Sequence, residues 1–416
     1  MAIRLNIERV AGQGDGVARG PDGPVFVPLT LPGEIVEAEV AEGRGEPVSL
    51  IQPSAERVAP PCPHFGDCGG CALQHWAEGP YLDWKRDQVV HALAREGLEA
   101  EVAPTAATAP QSRRRLALHA RRRSDGSVAL GFKPRRSWRL VDIQTCVIAD
   151  PRIVAALPAL AEVASAVFEH PKSAPTLHVT ATEAGLDVDV TGVERRTGGG
   201  LSGDARASAI GAATRADLAR LSLAGEVLVA RRPPTVTFGR AQVVLPPGGF
   251  LQASPEAERI MVAEVTAAAK GAKRIADLFC GAGTFTFPLA EIAPVLAADA
   301  GADAVAALNA GRKTTTGLKG IEAQARDLFR RPLSPFDLKG CDVAVLDPPR
   351  AGAIEQTRQL VDARKIARVV YVSCNPTTFA RDAATLVAGG FRLERVLPVD
   401  QFLWSGHVEL VATFSR

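Results

Sequence analysis

Along the first 53 residues apolar and polar positions alternate with a period of two, in "IRLNIERV", "GPVFVPL", "EIVEAEVAEG" and "EPVSLIQP". Successive side chains of a strand face opposite ways, so each segment reads as a strand with one buried face. Gly, Pro and Asp punctuate them in "GQGDG" and "GPDGP", and the spacing predicts a small, OB-like all-β barrel over residues 1–55. Helical periodicity follows in "YLDWKRDQVVHALAREGL", ended by Gly97. Residues 176–191, "TLHVTATEAGLDVDVT", alternate about an Ala-Gly turn and predict a hairpin, while "RRTGGGLSGDARASAIGAA", 195–213, reads as a flexible insertion. From about residue 241 the texture changes. Apolar strands recur in "KRIADLF", "APVLAAD", "CDVAVLD", "ARVVYVS" and "HVELVATF", and the helix-period segments "FPLAEIA", "ADAVAALNAGRK" and "AIEQTRQLVDARK" separate the first four. Such alternation predicts a Rossmann-like, doubly wound and mostly parallel α/β sheet. The expected organisation is therefore multi-domain, with a barrel over 1–55, a central α+β domain over 56–240 and an α/β domain over 241–416.

Composition changes this picture little. A hydrophobic content of 46% and a charged content of 23% are ordinary for a soluble globular chain. The net charge of +2 is too small to imply a nucleic-acid partner by itself, but its distribution is uneven. Between Arg113 and Arg139 stand ten Lys or Arg residues against one acid, Asp125. No apolar run approaches the length of a transmembrane helix, and "MAIRLNIERV" lacks the apolar stretch of a signal peptide. Seven cysteines, an odd number without a disulfide-like pattern, fit a reducing compartment. A cytoplasmic monomer without a membrane partner is expected.

Ligands of a doubly wound sheet sit beyond the carboxyl ends of its strands. The first such end runs into "DLFCGAGTFTFPLA", Asp277 to Ala290, where Gly281 and Gly283 allow a tight turn close to a ligand. The third glycine of a dinucleotide fingerprint is missing. The next strand ends in Asp299, sixteen positions after Gly283, where an acid commonly holds a ribose diol. Together these favour an adenosine-bearing cofactor without phosphates, such as S-adenosylmethionine. "DPPR", Asp347–Arg350, fixes a stiff turn that presents an acid or a carbonyl. "ARVVYVS" ends at Cys374, which would face the same crevice. That placement turns a thiol that would otherwise read as core packing into a candidate nucleophile. The C-terminal "DQFLWSGHVELVATFSR" holds Asp400, His407 and Glu409, of which Glu409 is the candidate base and His407 a further one.

Cys62-x5-Cys68-x2-Cys71 has metal-ligand spacing, and Cys146 is available as a fourth thiolate. Four cysteines suit either tetrahedral zinc or a 4Fe–4S cluster. A zinc ribbon would show a second C-x2-C knuckle, which is absent, so iron–sulfur is favoured.

Taken together these residues resemble the RNA uridine-5-methyltransferases, in their iron–sulfur-containing 23S ribosomal RNA branch. The barrel resembles that branch's TRAM module. "CPHFGDCGGC" with Cys146 resembles its 4Fe–4S motif. "PGGFLQAS", "DLFCGAGTF", "DPPRAG", "SCNPTTFARD" and "SGHVE" resemble its methyltransferase motifs in order. The resemblance covers nearly the whole chain. It implies a class I S-adenosylmethionine-dependent enzyme in which Gln252, Phe279, Gly281, Gly283, Thr284, Asp299, Asp327 and Asp347 hold the cofactor. Cys374 would add to carbon 6 of uracil and Glu409 would remove the hydrogen of carbon 5. Cys62, Cys68, Cys71 and Cys146 would hold the cluster, in a structural role. RNA phosphates would be met by Arg113, Arg114, Arg115, Arg121, Arg122, Arg123, Arg135, Arg136 and Arg139. The target uridine would sit in a loop or be flipped from its stack.

Three positions depart from the family pattern. Ser254 replaces an Asn, "FLWS" at 402–405 replaces a Pro-containing segment, and Asp299 replaces a longer Glu. The transfer RNA branch generally lacks barrel and cluster, which points to ribosomal RNA. A transfer RNA enzyme and a non-catalytic iron–sulfur RNA-binding protein are the alternatives. A DNA cytosine-5-methyltransferase would carry its nucleophile in a Pro-Cys pair, whereas here Pro376 follows Cys374.

Overall fold

The computed structural model describes residues 2–170, 172–193 and 201–416. Ala2–Val10, Gly16–Gly20, Gly23–Val27, Ile35–Ala41 and Arg44–Gln52 close into a barrel. The alternating apolar positions fill its interior, with Leu5, Ile7, Val25, Val27 and Val36 buried together. Closure removes the strand edges that so short a sheet would otherwise expose.

The central sheet has seven strands, and the expected hairpin, Thr176–Thr182 with Gly185–Thr191, lies within it. Helices Leu157–Ala166 and Gly203–Arg215 pack against this sheet. The second helix corrects the expectation of a flexible insertion for its part of 195–213. Ser202 caps it by accepting from the Ala205 amide, and Ala205, Ala209, Ala212 and Ala213 form its buried stripe. A stripe made only of alanine gives little hydrophobic contrast in sequence. Residues 195–200 of that expectation lie outside the described residues.

The C-terminal sheet has eight strands. Ile321–Ala325, Val295–Asp299, Ile275–Leu278, Val343–Leu346 and Arg368–Ser373 run parallel in that spatial order. Glu409–Ser415 then inserts antiparallel between Arg368–Ser373 and Arg392–Val399. Strand order reverses beside Ile275–Leu278, so the carboxyl ends there form the crevice of a doubly wound sheet. At the far edge Glu101–Val102, from much earlier in the chain, pairs with Arg392–Val399. Helix Glu78–Arg95 precedes it and buries Val89, Ala92 and Leu93 in the same core as Phe379, Ala380 and Ala383. This early segment is thus built into the C-terminal sheet. No helix among the described residues is long and apolar enough to cross a membrane.

Polar locks join the three parts. Lys85, fully buried, donates to Asp400 Oδ1 at 2.8 Å and to the carbonyls of Phe402 and His407. Tyr81 donates its hydroxyl to Asp400 Oδ2 at 2.7 Å and accepts from the Trp404 amide. Arg135 pairs with Asp15 of the barrel at 2.7 Å. A Cβ on Gly406 would stand 2.5 Å from the carbonyl oxygen of Gly12, so only glycine lets the barrel loop dock there.

Breaking a buried ion pair strands its partner charge. Asp400→Asn should therefore destabilise the chain by about 3 kcal/mol or more, read as a lower urea midpoint with helical content retained in the absence of urea. An unchanged midpoint would show that the pair does not lock the fold.

Candidate active site

The cofactor-type turn is held by backbone chemistry. Phe279, Gly281 and Gly283 have φ of 64°, 54° and 106°. The non-glycine Phe279 in that region is strained, as is common at functional turns. Its ring packs on Phe329 with centroids 5.5 Å apart. Asp299 accepts from the Gly281 amide at 2.9 Å and the Gly301 amide at 2.7 Å, so the shorter acid braces the glycine turn from the neighbouring strand end. Asp327 accepts from the Phe329 and Arg330 amides. Thr284 is buried beyond the glycines. These residues and Asp347 gather at the carboxyl ends of adjacent parallel strands.

Cys374 follows Arg368–Ser373, and Glu409 opens the antiparallel partner strand. Ser373 pairs with Leu410, which sets Cys374 and Glu409 opposite one another at the strand ends. Asn375 fixes the thiol's turn. Its side chain accepts from Thr377 N, capping helix Pro376–Ala388, and donates to the Arg350 carbonyl at 3.0 Å. Asp382, in that helix, accepts from the Ala353 amide and the Tyr371 hydroxyl, tying "DPPRAG" to "SCNPTTFARD". Gly352 makes room for this, since a Cβ there would lie 2.6 Å from the Asp382 carboxylate. The thiol opens into a groove of about 1060 Å³, lined also by Arg350, Trp84, His91 and the barrel loop around Gly12.

Behind the thiol runs a buried polar chain. Gln252 donates to Asp347 at 3.1 Å and accepts from Gln401 at 2.9 Å. Gln401 also donates to Glu409 at 3.0 Å, while its oxygen accepts from the Ala253 amide. That last contact fixes which way the carboxamide points, so its NH2 group faces the glutamate. Gln401 joins the candidate site residues and was missed by sequence reasoning. Its only signal was a place beside Asp400 in the segment leading to Glu409.

Burial dominates the electrostatics, and acid crowding adds to it. Burial and the charges of Asp277 and Asp299 push the Asp347 carboxyl up to about 7, against the Gln252 hydrogen bond. Burial likewise raises Asp277 to about 7, and one of its oxygens has no protein partner. Glu409 is pushed well above the carboxylate range by burial and by Asp347, with Gln401 and Arg350 opposing. Burial raises the Cys374 thiol to about 11, Glu409 and Asp347 add to this, and Arg350 opposes. His407, the further base candidate, is held near 4 by burial and by the charges of Arg350, Lys85 and Arg113. Its Nδ1 accepts from Arg350 at 2.6 Å, so it serves as a neutral clamp on that guanidinium.

Cys62, Cys68, Cys71 and Cys146 are all free thiols, and they line one cavity of about 240 Å³. Burial and neighbouring sulfur charge raise Cys71 to about 12, and Cys68 and Cys146 in the same direction. Among the described residues, however, no group of three or more His, Cys, Asp or Glu is drawn close enough to grip a metal ion.

The arginines divide. Arg114 departs from its expected phosphate role: it is buried, ion-pairs with Glu258 at 2.5 Å and donates to the Gln252 carbonyl, clamping the loop that carries Gln252. Arg115 donates to Leu251 O and sits over Phe250, and burial lowers it to about 10. Arg113 lies over Phe402. These three therefore brace the site from behind. Arg121, Arg122, Arg123, Arg135, Arg136 and Arg139 are exposed. Arg123, Arg135 and Arg139 pair with Asp142, Asp15 and Asp67 respectively. Ser254 caps helix Pro255–Ala268 and bonds Ser112, which gives it a structural place.

A parallel sheet with one antiparallel insertion near its edge, a glycine turn after one strand and an acid ending the next define an S-adenosylmethionine-dependent methyltransferase fold. Comparison narrows the class. The family model described as tRNA (Uracil-5-)-methyltransferase matches residues 242–416. A Caulobacter vibrioides protein named as an uncharacterized RNA methyltransferase is 58% identical over 414 residues, 99% of each chain. A Halomonas elongata protein, named 23S rRNA (uracil(1939)-C(5))-methyltransferase RlmD, is 36% identical over 97% of this chain and 88% of its own. In fold, the chain is similar to the Pyrococcus abyssi tRNA (uracil-54, C5)-methyltransferase solved with S-adenosyl-L-homocysteine, at a TM-score of 0.76, 23% identity and coverage of 99% and 100%. The chain belongs to the RNA uracil-5-methyltransferase family, and it is an S-adenosylmethionine-dependent enzyme.

At Gly283 a Cβ would meet the Phe287 ring at 2.6 Å, on backbone that already has positive φ. Gly283→Ala should weaken S-adenosylmethionine binding roughly tenfold or more, equivalent to about 1.4 kcal/mol, by isothermal titration. Wild-type affinity would detach this turn from the cofactor.

Proposed function

We propose that the protein methylates carbon 5 of a uridine in 23S ribosomal RNA, with Cys374 as nucleophile and Glu409 as base. The observation that carries this is their placement opposite one another across Arg368–Ser373 and Glu409–Ser415. Support for the ribosomal substrate is the relative named for 23S rRNA, 36% identical along almost the whole chain. The barrel does not separate the substrates, because the full-length fold is shared with a protein named as a tRNA methyltransferase. That removes one reason, given from sequence, for preferring ribosomal RNA. We read the barrel as a TRAM-type RNA-binding module and the site of action as the cytoplasm.

Uracil carbon 5 is a weak nucleophile. The Cys374 thiolate adds at carbon 6, the ring's electron pair moves to form an enolate, and carbon 5 becomes electron-rich. S-adenosylmethionine, when bound, would supply the electrophilic methyl to carbon 5, its sulfonium C–S bond breaking to release S-adenosylhomocysteine. Glu409 then takes the carbon 5 proton, the double bond re-forms and the carbon–sulfur bond breaks. Gln401 favours the ionised form of Glu409 and keeps it aimed. Arg350 favours the thiolate.

Ribosomal RNA from a deletion strain should lack one 5-methyluridine by mass spectrometry, restored by the native gene but not by Cys374→Ala. Glu409→Gln should instead accumulate a denaturation-resistant RNA adduct. Unchanged ribosomal RNA alongside altered transfer RNA would transfer the assignment to the latter. Because the Cys374 thiol is held up at about 11, kcat/KM for adduct formation should climb with pH from about 7 to about 9. A flat profile would mean that the thiol is already ionised.

We read the four thiols, which line one cavity and have cluster-like spacing in the sequence, as the ligands of a 4Fe–4S cluster. Such a cluster would tie Cys62, Cys68 and Cys71 to Cys146 across the central sheet. Anaerobically purified protein should contain iron and acid-labile sulfide, and Cys146→Ser should lose both. Zinc in place of iron would assign a different metal, and absence of any metal would sink the reading.

A further inference from the structure

Away from the catalytic groove, a second cavity of about 610 Å³ opens in the central sheet. It is lined by Arg121, Arg122, Lys133, His119, Phe168 and Trp138. Three of these are cations. The acid on its wall, Glu169, accepts from the backbone and hydroxyl of Ser202. Burial and Lys133 lower the His119 imidazole below its usual range, and it bonds Thr176.

Trp138 is the unusual residue. It is 88% exposed, the most exposed large apolar side chain among the described residues. The Lys133 ammonium sits 4.9 Å from its ring centroid. One face of the indole is thus occupied, and the exposure leaves the other open to solvent.

The loop that carries Trp138 is not free to wander. Arg135 is held by Asp15 of the barrel, and Arg139 pairs with Asp67 of the cysteine segment. Gly69 packs against it so closely that a Cβ there would lie 2.2 Å from the Lys133 carbonyl oxygen. Arg136, at φ 59°, lines the groove that holds Cys374. One short braced loop therefore walls two cavities, with Arg136 facing the catalytic groove and Lys133 and Trp138 the other.

We propose that the second cavity is a single-stranded RNA subsite. One unpaired base of the substrate stacks on the open face of Trp138, its flanking phosphates lie against Arg121 and Lys133, and the same strand passes Arg136 to reach Cys374. Aromatic stacking with cationic phosphate contacts is the general chemistry of single-strand recognition, and it tolerates any base. The inference rests on the RNA substrate reading above, and it adds to that reading a second anchoring point, outside the groove where methylation occurs.

The test uses ribosomal RNA from a strain lacking the gene as methyl acceptor. Trp138→Ala should raise KM roughly tenfold and leave kcat unchanged, and Trp138→Phe should restore most of the loss. RNA bearing 4-thiouridine, irradiated on the wild-type enzyme, should crosslink to the peptide containing Trp138. A Trp138→Ala variant with wild-type KM, or crosslinks confined to the barrel and the Cys374 groove, would overturn the subsite and leave the substrate reading intact. Failure of the wild-type enzyme to methylate either ribosomal or transfer RNA would overturn the substrate reading and take the subsite with it.

Discussion

The buried pair between Lys85 and Asp400 is the constraint on which the rest depends. Taking both charges out of water costs several kcal/mol apiece, of the order ordinarily recovered only when every remaining donor and acceptor is satisfied. Here they are nearly all satisfied. Asp400 also receives the Tyr81 hydroxyl, and Lys85 also reaches two carbonyls. The consequence is positional. Residues 400–409 carry Gln401, His407 and Glu409, and they have no long secondary structure of their own before the final strand. Helix Glu78–Arg95, itself packed into the C-terminal core, supplies the rigid surface against which this segment is pinned. Glu409 can be fully buried and still hold one orientation because its approach is fixed from outside the sheet.

The charge balance around the strand ends follows from the same burial. Asp277, Asp347 and Glu409 are all held above the ordinary carboxylate range, each chiefly by desolvation and then by an acidic neighbour. Arg350 is the cation that opposes this at Cys374 and Glu409, and His407 holds it in place. Strand ends so rich in carboxyl groups are poorly suited to an anionic ligand. They suit one that brings a positive charge, as a methyl sulfonium does. The missing third glycine of the dinucleotide fingerprint is consistent with this, since there is no pyrophosphate to cradle.

Much of this was legible in the sequence, for identifiable physical reasons. The barrel was readable because a closed small barrel has one buried face per strand, which forces a period of two. Cys374, Asp347 and Asp299 were readable because a doubly wound sheet places strand ends together whatever the chemistry. Gln401 was not, because a loop carries no periodicity, and the partner that orients it, Ala253 N, lies 148 residues away. Arg114 was misread for a related reason. In a run of ten cations nothing local distinguishes the one that turns inward to Glu258 from those left in solvent. Strand Ile321–Ala325 escaped notice because it is an edge strand, "IEAQA", whose residues after the first are not buried.

The "FLWS" departure is accommodated by the cysteine segment. Trp404 adopts a φ of 55°, which costs a non-glycine residue about 1–2 kcal/mol. That turn lets its carbonyl oxygen accept from both the Ala72 and Leu73 amides, immediately after Cys71. Two backbone hydrogen bonds contribute about 1–3 kcal/mol together, enough to offset the strain. Its own amide meets the Tyr81 hydroxyl, so both sides of the residue are engaged. A proline at 403 or 404 is therefore not needed to stiffen the approach to Glu409. Rigidity is supplied here by contacts from two other segments, and the thiol-bearing loop is one of them. The geometry of Glu409 is thereby tied to the integrity of the cysteine segment through the backbone of Trp404.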